Sequence, residues 1–442
     1  MFDMNRRRAM LFLFVLLCSA NSINLIFQVG DWGNRLSAVD AGSEANSLRE
    51  VRHFLEEGLT KYYGLGNINY PGMYPDDGMT PSYLASPYSD SSEIDYVRRY
   101  VLTNEGVYTH YPPGPEYLLY AAAKVLGLEP VSRLRLLPIT LGWASMLFLG
   151  LTIRHRFGEI VGWLVMGALA ATPTVNNAFV GLHSQGYAFA LLLLEIAMCV
   201  RGGAGSILFA VLGFCQGWLS FDYAFLVCLA PLVIEGAMPR IDSEYQCRWP
   251  LAWRRGILAG AGFACAHVLH FAEVWAYWGS FSSAFNDIVT AARYRAGTGS
   301  SGGVMGHIVA ADQLLNNYYV GAHPFSSDAF RVAADRDPTW LSFRFLGLSL
   351  GPWWAAITAT LAVRQFLFHN ENAKSLADDW LRVSFVGFVA SSAWFMVMVN
   401  HGMMNQPYLY RHLFLVFFVC VLFGAVRVHR HRFTEPALQP AE

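Results

Sequence analysis

The chain is short of charge. Asp, Glu, Lys and Arg make up 14% of its 442 residues, against roughly 25% in ordinary soluble domains. The remaining charge is almost balanced, at a formal -1, so the basic patch that nucleic-acid binding requires is missing. A disulfide or zinc framework is missing too. Cys18, Cys199, Cys215, Cys228, Cys265 and Cys420 lie in apolar runs and Cys247 lies in a polar linker, with no ligand-type spacing among them. There is no Gly-rich phosphate loop and no soluble α/β pattern, which excludes an ordinary nucleotide site. No internal repeat is evident, which counts against a transporter built from paired halves. What the chain has instead is long apolar runs. Its 54% hydrophobic residues and mean hydropathy of +0.33 place it in a bilayer.

Ten runs are candidate spans, near residues 9–28, 133–153, 159–176, 184–200, 206–220, 223–238, 256–276, 344–363, 383–400 and 411–427. The first follows Arg6, Arg7 and Arg8 as a signal peptide would. Its apolar run resumes through Ile23 to Phe27, however, giving it the length of an uncleaved span. Basic residues then set orientation. Arg154 and Arg156, Arg201, Arg240 with Arg248, Arg254 and Arg255, Arg364 with Lys374, and Arg427 with Arg430 and Arg432 all fall on the amino-terminal side. The short loops on the other face, near Asn176 to Gly181, Ser220 to Asp222 and His401 to Tyr410, hold neither Lys nor Arg. By the positive-inside rule both termini are cytoplasmic.

The expected fold is therefore an all-α polytopic membrane protein, one integral domain over residues 1–442, with two long outer loops at 29–132 and 277–343. Three interfacial helices are expected in those loops. The first, Ala45 to Leu55, has Leu48, Val51 and Leu55 at helical spacing and puts Arg49, Glu50 and Arg52 on its wet side. The second, Tyr117 to Leu128, is too short to cross, and the third is Phe281 to Tyr294. Together they would roof a cavity between the spans.

Candidate chemistry gathers at that face. Asp40 and Glu44 lie one helical turn apart at the start of the first interfacial helix, where a carboxylate serves either as an N-terminal cap or as a proton acceptor. In His110-Tyr-Pro-Pro-Gly114 the two prolines delay the next helix until after Pro113, fixing its start relative to His110 and Tyr111. His183 in the second short loop and Asp222 in Ser220-Phe-Asp-Tyr are further polar positions, since an acid that close to lipid needs a wet cavity. Arg411 and His412 sit at the outer end of the last span, against the positive-inside trend. An Arg there suits a phosphate through its two parallel donors, and Arg293 and Arg295 are alternates for the role.

The order of these features resembles the membrane glycosyltransferases of the GT-C superfamily, especially bacterial relatives of protein O-mannosyltransferases and of the lipid A aminoarabinose transferase. The likeness rests on Glu44, then Asn46 through Leu55-Glu-Glu-Gly58, then Tyr111-Pro-Pro-Gly through Gly127, then Arg133-Leu-Arg-Leu-Leu-Pro138 and Phe157-Gly158. It covers roughly residues 9–200. The resemblance implies an inverting glycosyltransferase in the inner (plasma) membrane of a bacterium. The donor is a polyprenyl-phosphate-linked sugar, and the acceptor is a glycan, lipid or protein at the outer face. Glu44 or Asp40 acts as base, and Arg411 with His412 holds the leaving phosphate, while His110, Tyr111, His183 and Asp222 contact substrate. No cofactor is assigned. Relatives often have adjacent Asp-Glu where this chain has Ser43-Glu44, and many carry another acid where it reads Gly181-Leu-His-Ser-Gln185, which weakens the case for a divalent metal. A lipid or solute transporter and a non-catalytic scaffold subunit remain the rival readings.

Overall fold

The computed structural model describes residues 41–68, 70, 107–171, 175, 178–203, 205–296, 371–398 and 414–433, with positions 12, 14–16 and 19 from the first apolar run. The described residues are mostly helical and contain no strand; extended chain pairs at one bridge, Asn67 with Val107. Their helices are α1 (Ala41–Glu57), α2 (Gly114–Leu126), α3 (Leu136–Phe157), α4 (Glu159–Ala171), α5 (Ser184–Arg201), α6 (Ser206–Leu219), α7 (Ala224–Ile241), α8 (Trp249–Trp278), α9 (Phe281–Ala296), α10 (Glu371–Val397) and α11 (Phe414–Phe433). Four stretches, Val131–Phe157, α5, α7 and α8, are long and apolar enough to cross a membrane. The chain is thus a helical membrane protein. The expected span near 344–363 and most of the one near 9–28 lie outside the described residues.

Turn chemistry sets the helix ends. α2 starts at Gly114, straight after Pro113, and Tyr117 N–H closes the first turn on Pro113 O at 2.9 Å. This is the start that the proline pair dictates. α5 stops at Arg201 because Gly202 takes φ 78°, a left-handed conformation that favours glycine, and returns its N–H to Met198 O. Between α6 and α8 the backbones nearly touch. A Cβ added at Gly213 would lie 1.9 Å from Ala259 O, and one at Gly262 would lie 1.9 Å from Ala210 O. Such small-residue seams let helices associate where lipid removes the hydrophobic drive.

The two ends of the bundle differ in chemistry. At one end Arg156 donates to Val200 O (2.6 Å), Arg255 to Gly202 O (2.7 Å) and Arg427 to Arg240 O (3.3 Å), while Arg156 and Arg248 both lie over the Tyr245 ring. The basic residues of α3, α5, α7, α8 and α11 thereby share one end. At the opposite end lie the start of α5, the turn between α6 and α7, the Pro-Pro segment and α1.

α1 corrects one expectation. It is buried on nearly every side: Leu48, Val51 and Phe54 join apolar neighbours, and Glu44, Ser47, Glu50 and His53 are buried as well. Glu50, expected on the wet side, is 5% exposed. α2 packs along α1, and Gly66 makes room for the Glu50 carboxyl, which a Cβ there would meet at 1.9 Å. α9 follows the amphipathic expectation more closely, with Ala284, Asp287 and Ala291 turned inward and Phe281 and Phe285 exposed beside Trp275.

Candidate functional site

The site is held together by a fully buried ion pair. Arg135, just before α3, donates from Nη1 to Glu44 Oε1 (2.8 Å) and from Nη2 to Glu44 Oε2 (2.9 Å), with neither side chain exposed. Glu44 Oε1 also accepts Leu182 N–H at 3.0 Å, and Arg135 Nη1 reaches Val180 O at 2.7 Å. Three segments far apart in sequence, the first turn of α1, the start of α3 and the loop before α5, are locked by one two-pronged contact. Both Glu44 oxygens are committed to N–H donors, an arrangement better suited to anchoring than to accepting a proton.

Next to this anchor lies a polar cavity of about 100 Å³. α1 supplies Ser43, Ser47 and Glu50, the approach to α2 supplies Tyr108 and Tyr111 and its first turn Glu116, and the α5 start with the α6–α7 turn supplies His183, Gln185 and Asp222. The helical repeat of Ser43, Ser47 and Glu50 puts all three on one face of α1. Glu116 accepts a hydrogen bond from Ser47 Oγ at 2.6 Å. Burial pushes the Glu50 carboxyl well above the usual carboxylate range, and the nearby Glu116 adds to the rise. Burial likewise raises Glu116, against the hydroxyl of Ser47, which lowers it. Two acids desolvated side by side retain a proton at a pH where exposed carboxylates have lost theirs. Across the cavity, His183 caps α5 and accepts Gln185 N–H on Nδ1 at 3.3 Å, while the Gln185 amide donates to Asp222 Oδ2.

A second cavity, about 320 Å³ and mostly apolar, adjoins the first. Phe221, Phe263, Phe271 and Trp394 form much of its wall, with Arg295, His110, His267 and His270 as its polar members. The two cavities share a thin partition. Tyr108 and Tyr111 line the polar cavity while His110, between them, lines the apolar one; Phe221 and Asp222 divide in the same way. Tyr111 and Phe221 have ring centroids 4.3 Å apart, and the Arg295 guanidinium lies 4.9 Å from the first ring and 4.4 Å from the second.

His110 is held from α9. Its Nε2 lies 3.0 Å from Asp287 Oδ1, and Asp287 Oδ2 accepts Thr109 Oγ1 (2.6 Å) and Trp278 Nε1 (3.1 Å). Burial pushes Asp287 up, but the bond from His110 and those from Thr109 and Trp278 outweigh it and hold the carboxyl below its usual value. Burial lowers His110, and Arg295 and His270 act in the same sense against Asp287. Against an acceptor carboxylate, Nε2 is the donor of this contact.

Of the residues singled out in the sequence, Tyr111, His183 and Asp222 come together around the polar cavity, and Glu44 lies just behind it, beside Gly181 and His183. His110 faces the neighbouring cavity. Asp40, Arg411 and His412 lie outside the described residues. Sequence reasoning missed Glu50, Glu116, Asp287 and the role of Arg135. The Ser43, Ser47, Glu50 repeat was the available signal for the first; nothing local marked the others as partners. Among the described residues no group of three or more His, Cys, Asp or Glu side chains is arranged to hold a metal. No protein-family model matches the chain, and no curated protein matches it.

Proposed function

We propose that this protein is a membrane glycosyltransferase of the GT-C type, with about ten spans and both termini cytoplasmic. It transfers a sugar from a polyprenyl-phosphate carrier to an acceptor at the outer face of a bacterial inner membrane. The observation that carries the reading is the pair of unlike cavities meeting at one partition, at the end of the bundle opposite the basic residues. An inverting displacement needs the acceptor on one face of the anomeric carbon and the leaving group on the other. A polar cavity with three carboxyl groups suits a hydroxyl nucleophile, and an apolar cavity with Arg295 suits a prenyl chain and its phosphate.

In this mechanism the Glu50–Glu116 pair shares one proton and its ionised member is the proton acceptor. Its raised affinity for protons brings it nearer to working pH than an ordinary carboxylate, as general base catalysis prefers. Asp222 with Gln185, and His183, position the hydroxylated groups. Arg295 stabilises charge on the departing phosphate, and the resemblance adds Arg411 and His412 to that role. Glu44 acts through Arg135 by fixing the α1 face that carries Glu50.

Purified protein in detergent, supplied with radiolabelled polyprenyl-phosphate sugars and membrane extract as acceptor, is expected to consume donor and label an acceptor fraction. A transporter or scaffold subunit would leave the donor intact, and that result would remove the enzymatic reading.

A further inference from the structure

We infer that His110, held by Asp287, takes up a proton when a lipid phosphate monoester occupies the apolar cavity, offsetting the negative charge gained by the leaving group. The inference rests on the glycosyltransferase reading and adds to it a proton site separate from the carboxylate base. Asp287 fixes one imidazole nitrogen at 3.0 Å, its other oxygen is occupied by Thr109 and Trp278, and the ring forms part of the cavity wall. This is the arrangement in which a carboxylate orients a histidine and stabilises its cation without itself taking the proton.

The charges around His110 decide when the proton arrives. From α9 it is faced by Asp287 and Arg295, and from α8 by His270, which donates Nε2–H to Thr109 O at 2.9 Å and has Glu273 3.4 Å from its Nδ1, and by His267. Burial and Arg295 hold His110 below its ordinary value. A sugar phosphodiester carries one negative charge, whereas the monoester left after transfer carries close to two at neutral pH, its second pKa being about 6. The added charge, in a cavity walled by aromatic rings, favours the imidazolium.

The acceptor O–H gives its proton to the ionised carboxylate of the Glu50–Glu116 pair, and its oxygen bonds to the anomeric carbon. The bond from that carbon to the phosphate oxygen breaks, its electron pair leaving on phosphate. His110 receives a separate solvent proton, so one proton is taken up in the apolar cavity for each one shed into the polar cavity.

Titration calorimetry tests this on the full-length protein in non-ionic detergent, using decyl phosphate as monoester and decyl methyl phosphate as diester, with heats into empty micelles subtracted. At about pH 8 the monoester is already a dianion, so any proton taken up, read from heats in buffers of different ionisation enthalpy, belongs to the protein. The expected result is uptake with the monoester and none with the diester. His110→Gln is expected to abolish the uptake, weaken the monoester about tenfold, the weight of one pKa unit, and leave diester affinity unchanged. Asp287→Asn should also reduce the uptake, and it carries the same prediction should His110→Gln not fold. Uptake that survives in both variants, or that is equal for both esters, overturns the inference alone. Failure of the wild-type protein to bind either ester overturns the lipid-phosphate reading as well.

Discussion

Helix α1 buries two carboxylates within two turns, and the surroundings treat them in opposite ways. Glu44 meets the guanidinium of Arg135, and both of its oxygens are filled by N–H donors. Glu50 meets another acid, Glu116, and burial drives both toward their protonated forms. A buried charge with its counter-charge is a fastener, because any motion that parts the two exposes an uncompensated ion. A buried acid beside a second acid is a proton store, because the ionised form is what the site resists. In this protein the first arrangement fixes the helix that presents the second.

Arg135→Ala is expected to do the most damage. It leaves Glu44 buried without a counter-charge, at a cost of about 3–5 kcal/mol, a large part of a typical domain's stability. The thermal midpoint in detergent and the yield of folded protein are expected to drop sharply. A midpoint close to wild type would mean that Glu44 is not an anchor.

Next come the substitutions that pit one carboxylate against the other. Glu50→Gln and Glu116→Gln are expected to fold and to lose turnover by at least about a hundredfold, the low end for general base catalysis. Glu44→Gln is expected to lower stability, while the protein that still folds keeps its specific activity to within about tenfold. Single-turnover assays on the purified variants rank them, and the reverse order would return the proton-accepting role to Glu44.

The third expectation concerns pH. Both members of the acid pair bind protons more tightly in the folded state than at the ordinary glutamate value of about 4.3. The folded protein therefore holds protons that the unfolded chain has released, and their contribution to stability falls as pH rises from that value toward the raised native one. Thermal midpoints between about pH 4 and pH 8 should decline more steeply in wild type than in Glu50→Gln. Parallel curves would show that the pair holds no extra proton.

The smallest effect sharpens the boundary between the cavities. Tyr111→Leu removes one of the two rings beneath Arg295, a contribution of about 0.5–1 kcal/mol. The donor KM should rise a few-fold with kcat nearly unchanged. A fall in kcat alone would place Tyr111 in the chemical step instead of in donor binding.

Much of the fold was legible residue by residue. The charge deficit and apolar runs placed the chain in a membrane, and Pro112-Pro113 delayed the next helix until after Pro113, although its expected range, Tyr117 to Leu128, began three residues later than the observed Gly114. Tyr111, His183 and Asp222 were named from local patterns and do line one cavity. Glu50 runs against its local pattern, since on a helix lying at a surface a charged residue flanked by Arg49 and Arg52 belongs in water. The packing of α2 against that face reversed its environment.

The class of molecule, the helical punctuation and the gathering of basic residues at one end follow from composition and from spacings of a few residues. Tertiary structure alone decided which side chain meets which. Arg135 reaches Glu44 across 91 positions, and Asp287 reaches His110 across 177. Hydropathy and periodicity describe a helix relative to its own axis and carry no record of the partner brought against it. Whether a buried acid becomes a fastener or a proton store depends on that partner.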